Sequence, residues 1–171
     1  MADDLKIIIY PDPRLKKVSE PVTRFDENLR DLVVEMFRLM REAHGVGLAA
    51  PQVGHNIRVF VMNATGEAGD DYILVNPVLS AADGQEESEE GCLSLPDIRI
   101  KVIRSKRITI NAQDLQGQSF EHSAEGFIPR VWQHEFDHLN GIMLTDRMGP
   151  VAKMTHRKRL KELEDLYRKG R

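Results

Sequence analysis

Residues 133–141, with the sequence QHEFDHLNG, contain the pattern H-E-x-x-H ahead of a glycine that is able to end a helix. At about 3.6 residues per turn, His134 and His138 lie one turn apart on the same face of a helix, and Glu135 lies beside them. Two imidazoles in this arrangement can bind one metal ion, and the neighbouring carboxylate can reach a water on that ion. The pattern therefore predicts a helix that carries a metal site. By itself it is equally compatible with a solvated helix that binds no metal.

The length of 171 residues indicates one domain, residues 1–171, that is large enough to bury a core. The composition, with 41% hydrophobic and 30% charged residues, indicates a soluble globular protein. No apolar run approaches the roughly 20 residues needed to cross a bilayer, and the N-terminus lacks the basic and apolar regions of a signal peptide. We therefore expect a cytoplasmic protein with no membrane partner. The net charge of −3 argues against general nucleic-acid binding, and no specific DNA partner is expected.

Cys92 is the single cysteine of the chain, so no intramolecular disulfide can form and a reducing compartment is expected. A lone cysteine usually behaves as a small buried apolar side chain. Here the cysteine stands in the segment EGCLS, directly after an acidic run that includes Glu86, Glu87 and Glu90. An acidic run normally forms a solvated face, and we expect this for Glu86 and Glu87. Glu90 is close enough to Cys92 to take part in its site.

The hydrophobic pattern predicts an α+β fold, with antiparallel β-sheets packed around the helix of the H-E-x-x-H pattern. Apolar residues recur at helical spacing from about Asp26 to His44, which predicts an N-terminal amphipathic helix. Residues rich in β-branched side chains or alternating in polarity predict five strands. These segments are 57–62, 72–79, 98–103, 107–111 and 119–122. Apolar residues between Val151 and Tyr167 predict one further amphipathic helix at the C-terminus.

The segment GVGLAAPQ, residues 45–52, has little side-chain bulk, so another group can approach its backbone closely. A tight, densely packed turn would have the same composition. Gln52 is the exception in this segment, because its side-chain amide can donate a hydrogen bond to a group that approaches.

In order along the chain, the segments GVGLAAPQ, EGCLS and QHEFDH resemble the three signature motifs of the peptide deformylase family. The resemblance extends over most of the chain. It implies that Cys92, His134 and His138 bind one divalent metal ion with water in the fourth place, and that Glu135 is the general base and acid. It also implies ferrous iron in the cell, with zinc, nickel or cobalt able to occupy the site in purified protein.

The residue types agree with this chemistry. A thiolate and two neutral imidazoles leave a divalent ion with a net charge near +1 and an open position, as in catalytic sites. The expected reaction is hydrolysis of the N-formyl group of formylmethionine on newly made polypeptides. The metal-bound water is the nucleophile, Glu135 takes and returns its proton, and formate leaves.

The resemblance also implies how the substrate is held. The Gln52 side chain and the backbone N–H of Leu93 would stabilise the developing oxyanion. The backbone groups expected to hydrogen-bond an extended peptide belong to Val46, Gly47 and Gly91. The residues expected to line the methionine pocket are Val46, Phe127, Val131 and His134, with Arg130 at the rim.

Arg130 departs from the family pattern, which usually has an apolar residue there. We expect its methylene stem to lie along the pocket and its charged head to stay in water. We also hypothesise an ion pair between Glu90 and Arg104 that steadies the cysteine-bearing strand.

Residues 157–171 carry seven Lys or Arg against three Asp or Glu. The basic final helix resembles the one by which some family members dock on the ribosome, although a solvated helix packed on the core would have the same composition. We expect a monomer.

Two other functions are compatible with parts of the sequence. A zincin-type endopeptidase shares the H-E-x-x-H pattern, but Asp137 is charged where those proteases prefer uncharged residues. The downstream carboxylates of Glu162 and Glu164 stand on a basic helix. A metal-stabilised module that only binds peptide N-termini would need a broken catalytic set, and here Glu135 and Gln52 are both present.

Overall fold

The computed structural model describes residues 4–170, which form one five-stranded antiparallel sheet and four helices. The strands follow one another across the sheet in chain order. They are β1 (Gly47–Ala49), β2 (Val59–Met62), β3 (Tyr72–Cys92), β4 (Leu95–Gln113) and β5 (Ser119–Glu125). The helices are α1 (Glu27–Glu42), α2 (Phe127–Leu139), α3 (Pro150–Thr155) and α4 (Arg157–Lys169). Short 3-10 helices cover Pro13–Lys16, Ala50–Val53 and Leu144–Arg147. The α+β class is confirmed, but there is one sheet where several were expected.

The sheet lies between α1 and α2, and β2 shows why. All four residues of β2 are buried, although successive side chains of a strand point to opposite faces. Val59 and Val61 pack in the same cluster as α1, whereas Phe60 and Met62 pack in the same cluster as α2. Because both faces are covered, the segment has no polar face. This explains its poor alternation of polar and apolar residues.

α1 confirms the predicted N-terminal helix. The Asp26 side chain accepts a hydrogen bond from the backbone N–H of Leu29 at 3.2 Å and so caps the first turn. Helical spacing then directs one apolar stripe towards the sheet. The buried residues of this stripe include Leu29, Val33, Met36 and Met40.

β3 and β4 form a hairpin that is much longer than the sequence predicted. The strand expected over residues 72–79 continues to Cys92, and the two strands expected within residues 98–111 are one continuous strand. Register shifts after Val75, after Ser80 and after Gly91 break the regular pairing along the hairpin. Pro77 lies within the first shift, where its missing N–H costs no ladder hydrogen bond. The acidic run is part of β3, with Glu86 and Glu87 exposed as expected.

α2 carries the H-E-x-x-H pattern. Gly126 precedes its first residue with φ 87°, and Pro129 stands in the first turn, where no N–H is needed. The helix ends at Leu139, and Gly141 follows with φ 70°. A Cβ at Gly141 would meet the backbone oxygen of Lys16 at 2.4 Å, so this position combines a left-handed conformation with close backbone contact.

The prediction of a single C-terminal helix is wrong, because a turn at His156 separates α3 from α4. In one continuous helix, Val151 and Met154 would be out of phase with Leu160 and Leu163. The break lets Leu163 pack against the β3–β4 hairpin, while Val151 and Met154 remain exposed. None of the described helices is long and apolar enough to span a bilayer.

Candidate active site

Three metal-binding atoms converge where the end of β3 meets α2. Cys92 Sγ lies 3.4 Å from His138 Nε2, which lies 3.3 Å from His134 Nε2. All three atoms are within 4.8 Å of one another. The two imidazoles stand one turn apart on α2, whereas Cys92 is the last residue of β3 and follows a shift in strand register. Such a bulge re-aims the side chain that follows it.

Glu90 orients His134. Its Oε1 lies 2.9 Å from His134 Nδ1, and we assign the proton to Nδ1 because the carboxylate can only accept. Nε2 is then the nitrogen left to face Cys92 and His138. Burial alone would raise the pKa of Glu90, but hydrogen bonds from Arg104 and His134 hold that pKa well below its usual range.

Arg104 joins Glu90 to α2 through buried ion pairs. Its Nε and Nη2 donate to the two oxygens of Glu90 at 2.9 and 2.8 Å, so the hypothesised pair is present. Its Nη1 donates to Asp137 Oδ2 at 2.7 Å. Arg147 donates to both oxygens of Asp137 at 2.6 and 2.7 Å. These roles of Asp137 and Arg147 were not predicted from the sequence, although a charged residue between Glu135 and His138 was a signal.

The donor set fits a divalent metal ion. Burial lowers the pKa of His138 well below its usual value, which keeps that imidazole neutral and its lone pair available. For His134, burial acts in the same direction, but hydrogen bonds with Cys92 and Glu90 outweigh it and raise the pKa. The groups around His134 therefore stabilise a positive charge on or beside its ring, whether that charge is a proton or a metal ion. One thiolate and two imidazoles are soft or borderline donors, which suit Zn²⁺ or Fe²⁺.

Glu135 is buried beside these atoms, with 4% of its surface exposed. Its Oε2 has no hydrogen-bond partner among the described residues, which is costly for a buried carboxylate. Burial raises its pKa to about 7. Gly47 lies against the same side chain, and a Cβ there would meet Glu135 Oε1 at 2.6 Å. The carboxyl group therefore gains or loses its proton near neutral pH. A polar group bound in the site would give Oε2 the hydrogen bond that it lacks.

Gln52 is held with its amide N–H₂ towards the site. Its Oε1 accepts from the backbone N–H of Ala49 at 2.9 Å, so Nε2 faces the opposite way. Nε2 donates to Ser94 Oγ at 3.1 Å and lies 3.7 Å from Cys92 Sγ. Ser94 was missed by the sequence analysis, although it belongs to the EGCLS segment.

These groups open into a cavity of about 630 Å³. The structure brings eleven of the twelve predicted site residues to its wall, and His138 lies buried behind them. The eleven are Val46, Gly47, Gln52, Gly91, Cys92, Leu93, Phe127, Arg130, Val131, His134 and Glu135. Val46 and Phe127 are exposed, at the mouth, whereas Val131 is buried.

The predicted position of the Arg130 head is wrong. Its guanidinium is buried and does not extend into water, because Nη1 donates to Glu90 Oε2 at 2.6 Å and to the Val102 carbonyl at 2.9 Å. Nη2 donates to the Glu86 carbonyl at 2.7 Å. Three acceptors on the hairpin satisfy the charged head and remove the need for solvent.

Comparison with known proteins shows the family of this chain. Residues 4–154 match the family model described as polypeptide deformylase. The chain belongs to the peptide deformylase family. It is 42% identical over 160 residues to the peptide deformylase of Acidobacterium capsulatum, covering 92% of this chain and 94% of that one. It is 43% identical over 159 residues to that of Thermotoga maritima, covering 92% and 95%.

Solved peptide deformylase structures have the same fold. A plant enzyme superposes with a TM-score of 0.94 at 39% identity, covering 99% of this chain and 94% of that chain. The Plasmodium falciparum enzyme gives a TM-score of 0.92 at 40% identity, covering 95% and 97%. Peptide deformylases are metal-dependent hydrolases that remove the N-formyl group from nascent peptides, and this chain is accordingly an enzyme that acts on N-formylmethionyl peptides.

Proposed function

We propose that deformylation takes place in the 630 Å³ cavity, at one divalent metal ion held by Cys92, His134 and His138. The observation that carries this proposal is the convergence of their three donor atoms beside Glu135 and the Gln52 amide. We propose ferrous iron as the ion in the cell, with zinc, nickel or cobalt as substitutes in purified protein. When bound, the ion supplies a Lewis acid and makes a water nucleophilic near neutral pH.

Glu135 is proposed to move the proton. A carboxyl group with a pKa of about 7 can take a proton from water and later give it to the departing amine at neutral pH. The unpartnered Oε2 is the atom we assign to this transfer. The products are formate and a polypeptide with a free N-terminal methionine.

Gln52 and the backbone N–H of Leu93 are proposed to hold the oxyanion. The bond from Ala49 fixes the Gln52 amide before substrate arrives, so no reorganisation is needed when charge develops on the formyl oxygen. Leu93 lies between Cys92 and Ser94 in the short connection from β3 to β4, which keeps its backbone beside the thiol.

The substrate backbone is proposed to lie along Val46, Gly47 and Gly91, where small residues leave room for an extended peptide. The methionine side chain would then enter the pocket made by Val46, Phe127, Val131 and the His134 ring. The Arg130 stem is proposed to complete the pocket wall, with its head paired to Glu90.

The experiment is formate release from a formylmethionyl tripeptide by protein purified without oxygen and loaded with ferrous iron. Anaerobic handling protects the Cys92 thiolate from oxidation. We expect formate from the wild type and none from Glu135→Ala, while Glu162→Ala, which removes an exposed carboxylate on α4, keeps wild-type activity. Absence of formate from the fully metal-loaded wild type would contradict the proposal. Internal peptide cleavage would then indicate an endopeptidase, and binding without cleavage a peptide-binding module.

We further propose that residues 1–171 act as a single catalytic domain, as a monomer in the cytoplasm. The packing of α1, α2 and α4 on the same sheet or its hairpin supports one domain. A relative from tomato is named as chloroplastic, so location varies among relatives.

Ribosome docking through α4 is also proposed. Leu163 faces the hairpin and leaves Arg157, Lys158 and Lys161 exposed. Salt-sensitive cosedimentation with ribosomes, lost on reversing these three charges, would support it.

A further inference from the structure

Arg130 makes a set of buried contacts that a residue of the pocket wall would not need. Its side chain is 7% exposed. Its donors reach Glu90 Oε2, the Glu86 carbonyl on β3 and the Val102 carbonyl on β4. One guanidinium thus connects α2 to both strands of the hairpin, in the planar geometry that arginine provides and lysine does not.

Glu90 accepts from three side chains at once. Oε1 accepts from His134 Nδ1 and Arg104 Nη2, and Oε2 accepts from Arg104 Nε and Arg130 Nη1. Arg130 and His134 are four residues apart, on the same face of α2. Both therefore reach the same carboxylate from one helix, while Arg104 reaches it from the opposite strand. Without Arg130, Oε2 would keep only the Arg104 bond, whereas with it each carboxylate oxygen has one donor on the strand and one donor on α2.

We propose that Arg130 is a positioning residue. By holding Glu90 Oε2 in place from α2, it sets the orientation of the His134 imidazole towards the metal. The inference rests on the proposed metal site of Cys92, His134 and His138. Partners that orient a ligating histidine commonly change metal affinity by about 10- to 100-fold when they are removed. Arg130 acts one step further out, through Glu90, so we expect about 10-fold.

A purely structural role for Arg130 makes a different prediction. If its bonds only attach α2 to the hairpin, removing them lowers the stability of the fold and leaves the metal site of the folded protein unchanged. Metal affinity and the geometry of the bound ion therefore separate the two roles.

The experiment uses Arg130→Met, which replaces the unbranched stem of arginine with an unbranched apolar side chain and removes every side-chain hydrogen-bond donor. Co²⁺ affinity is measured by competition with a chelator, well below the unfolding temperature, and the absorption bands of bound Co²⁺ report the ligand geometry. We expect affinity about 10-fold weaker than wild type and shifted bands.

Arg58→Met is the matched control. Arg58 Nη1 also donates to the C-terminal end of α2, to the Leu139 carbonyl at 3.0 Å and to Asn140 Oδ1 at 3.1 Å, and neither acceptor is a hydrogen-bond partner of Glu90. Arg58→Met removes partly buried hydrogen bonds to the same helix and none to the Glu90 carboxylate. We expect a lower unfolding temperature with wild-type Co²⁺ affinity and bands.

Wild-type affinity and bands in Arg130→Met would overturn the inference, and so would an equal loss in Arg58→Met. If Arg130→Met does not fold, Arg130→Lys decides the question. Lysine keeps the charge but has no fork, so we expect weaker Co²⁺ binding, and wild-type behaviour would overturn the inference. If the wild type itself binds no Co²⁺, it is the proposed metal site that fails, and this result is distinct from the others.

Discussion

At the scale of single residues, the backbone of β1 and the carboxyl group of Glu135 are in direct contact at Gly47. We predict that Gly47→Ala lowers kcat for deformylation at least about tenfold, because the new methyl group would lie 2.6 Å from Glu135 Oε1 and must displace it. A displacement of about 1 Å in a catalytic group is enough for losses of this size or larger. Formate release at saturating substrate measures the effect.

Gly149→Ala is the control for Gly47→Ala. No atom of residues 4–170 lies within 4 Å of a Cβ at Gly149, and the backbone there is extended, with φ −75°. We expect wild-type activity from this variant. Full activity in Gly47→Ala would show that Glu135 can move without loss, contrary to its proposed role.

Gln52→Ala should lower kcat about a hundredfold or more, or roughly 3 kcal/mol, through loss of an oxyanion donor. Ser94→Ala removes an acceptor of the same amide but leaves its bond with Ala49 intact, so a much smaller loss is expected. Formate release by the two variants, each with its metal content verified, tests the prediction. Equal losses would indicate that Gln52 has a packing role.

At the scale of secondary-structure elements, the end of α2 depends on Gly141. We predict that Gly141→Ala lowers the free energy of unfolding by more than the roughly 1–3 kcal/mol of a left-handed alanine. A Cβ there also meets the Lys16 backbone oxygen at 2.4 Å. Urea denaturation measures the difference.

Gly54→Ala separates the two contributions at Gly141. Gly54 is left-handed as well, with φ 86°, but its Cβ would be 3.4 Å from the end of a flexible arginine. It should show only the conformational cost. Equal destabilisation of both variants would contradict a role for the Lys16 contact.

The elements in which apolar residues recur at a regular spacing were predictable from the sequence. α1 lies within two residues of its predicted bounds, and α2 ends just before Gly141, the glycine expected to end it, since capping residues and apolar spacing are local properties. The length of the β3–β4 hairpin was not predictable. Residues 80–89 of β3 are all exposed and show no alternation of apolar and polar side chains. These residues form a strand because they pair with β4, and the local sequence of β3 does not reveal that pairing.

The candidate site shows the same division. His134, Glu135 and His138 were expected together because helical spacing determines their faces, whereas Cys92 was expected at the site only from the family resemblance. The Arg130 head was placed wrongly, because its three acceptors come from residues 28 to 44 positions away. Ser94 and Arg147 were missed for the same reason: their partners are set by packing between elements.

At the scale of the whole molecule, a hydrogen bond from Tyr10 to Glu164, at 2.7 Å, joins an N-terminal segment to α4. Burial and this bond raise the pKa of Tyr10 from 10.0 to about 12. The folded state thus holds the proton more tightly than the unfolded state. The resulting stabilisation is complete below about pH 10 and is lost as the pH rises towards 12.

We predict that the difference in unfolding free energy between wild type and Tyr10→Phe shrinks between pH 10 and pH 12. Comparing the two proteins removes the contribution of lysines that titrate in the same range. Chemical denaturation at a series of pH values measures this difference in unfolding free energy. A constant difference across this range would contradict the prediction.

The donor atoms of the proposed metal site are widely separated along the chain, and this separation orders events during synthesis. Cys92 leaves the ribosome 46 residues before His138, which at about 5–20 residues per second is a delay of roughly 2–9 s. The hairpin is complete once Gln113 has been synthesised, but for most of that interval neither His134 nor His138 has been added to the chain. The three-donor site exists only after α2 has emerged and packed on the sheet, so the metal must be acquired by a nearly complete fold.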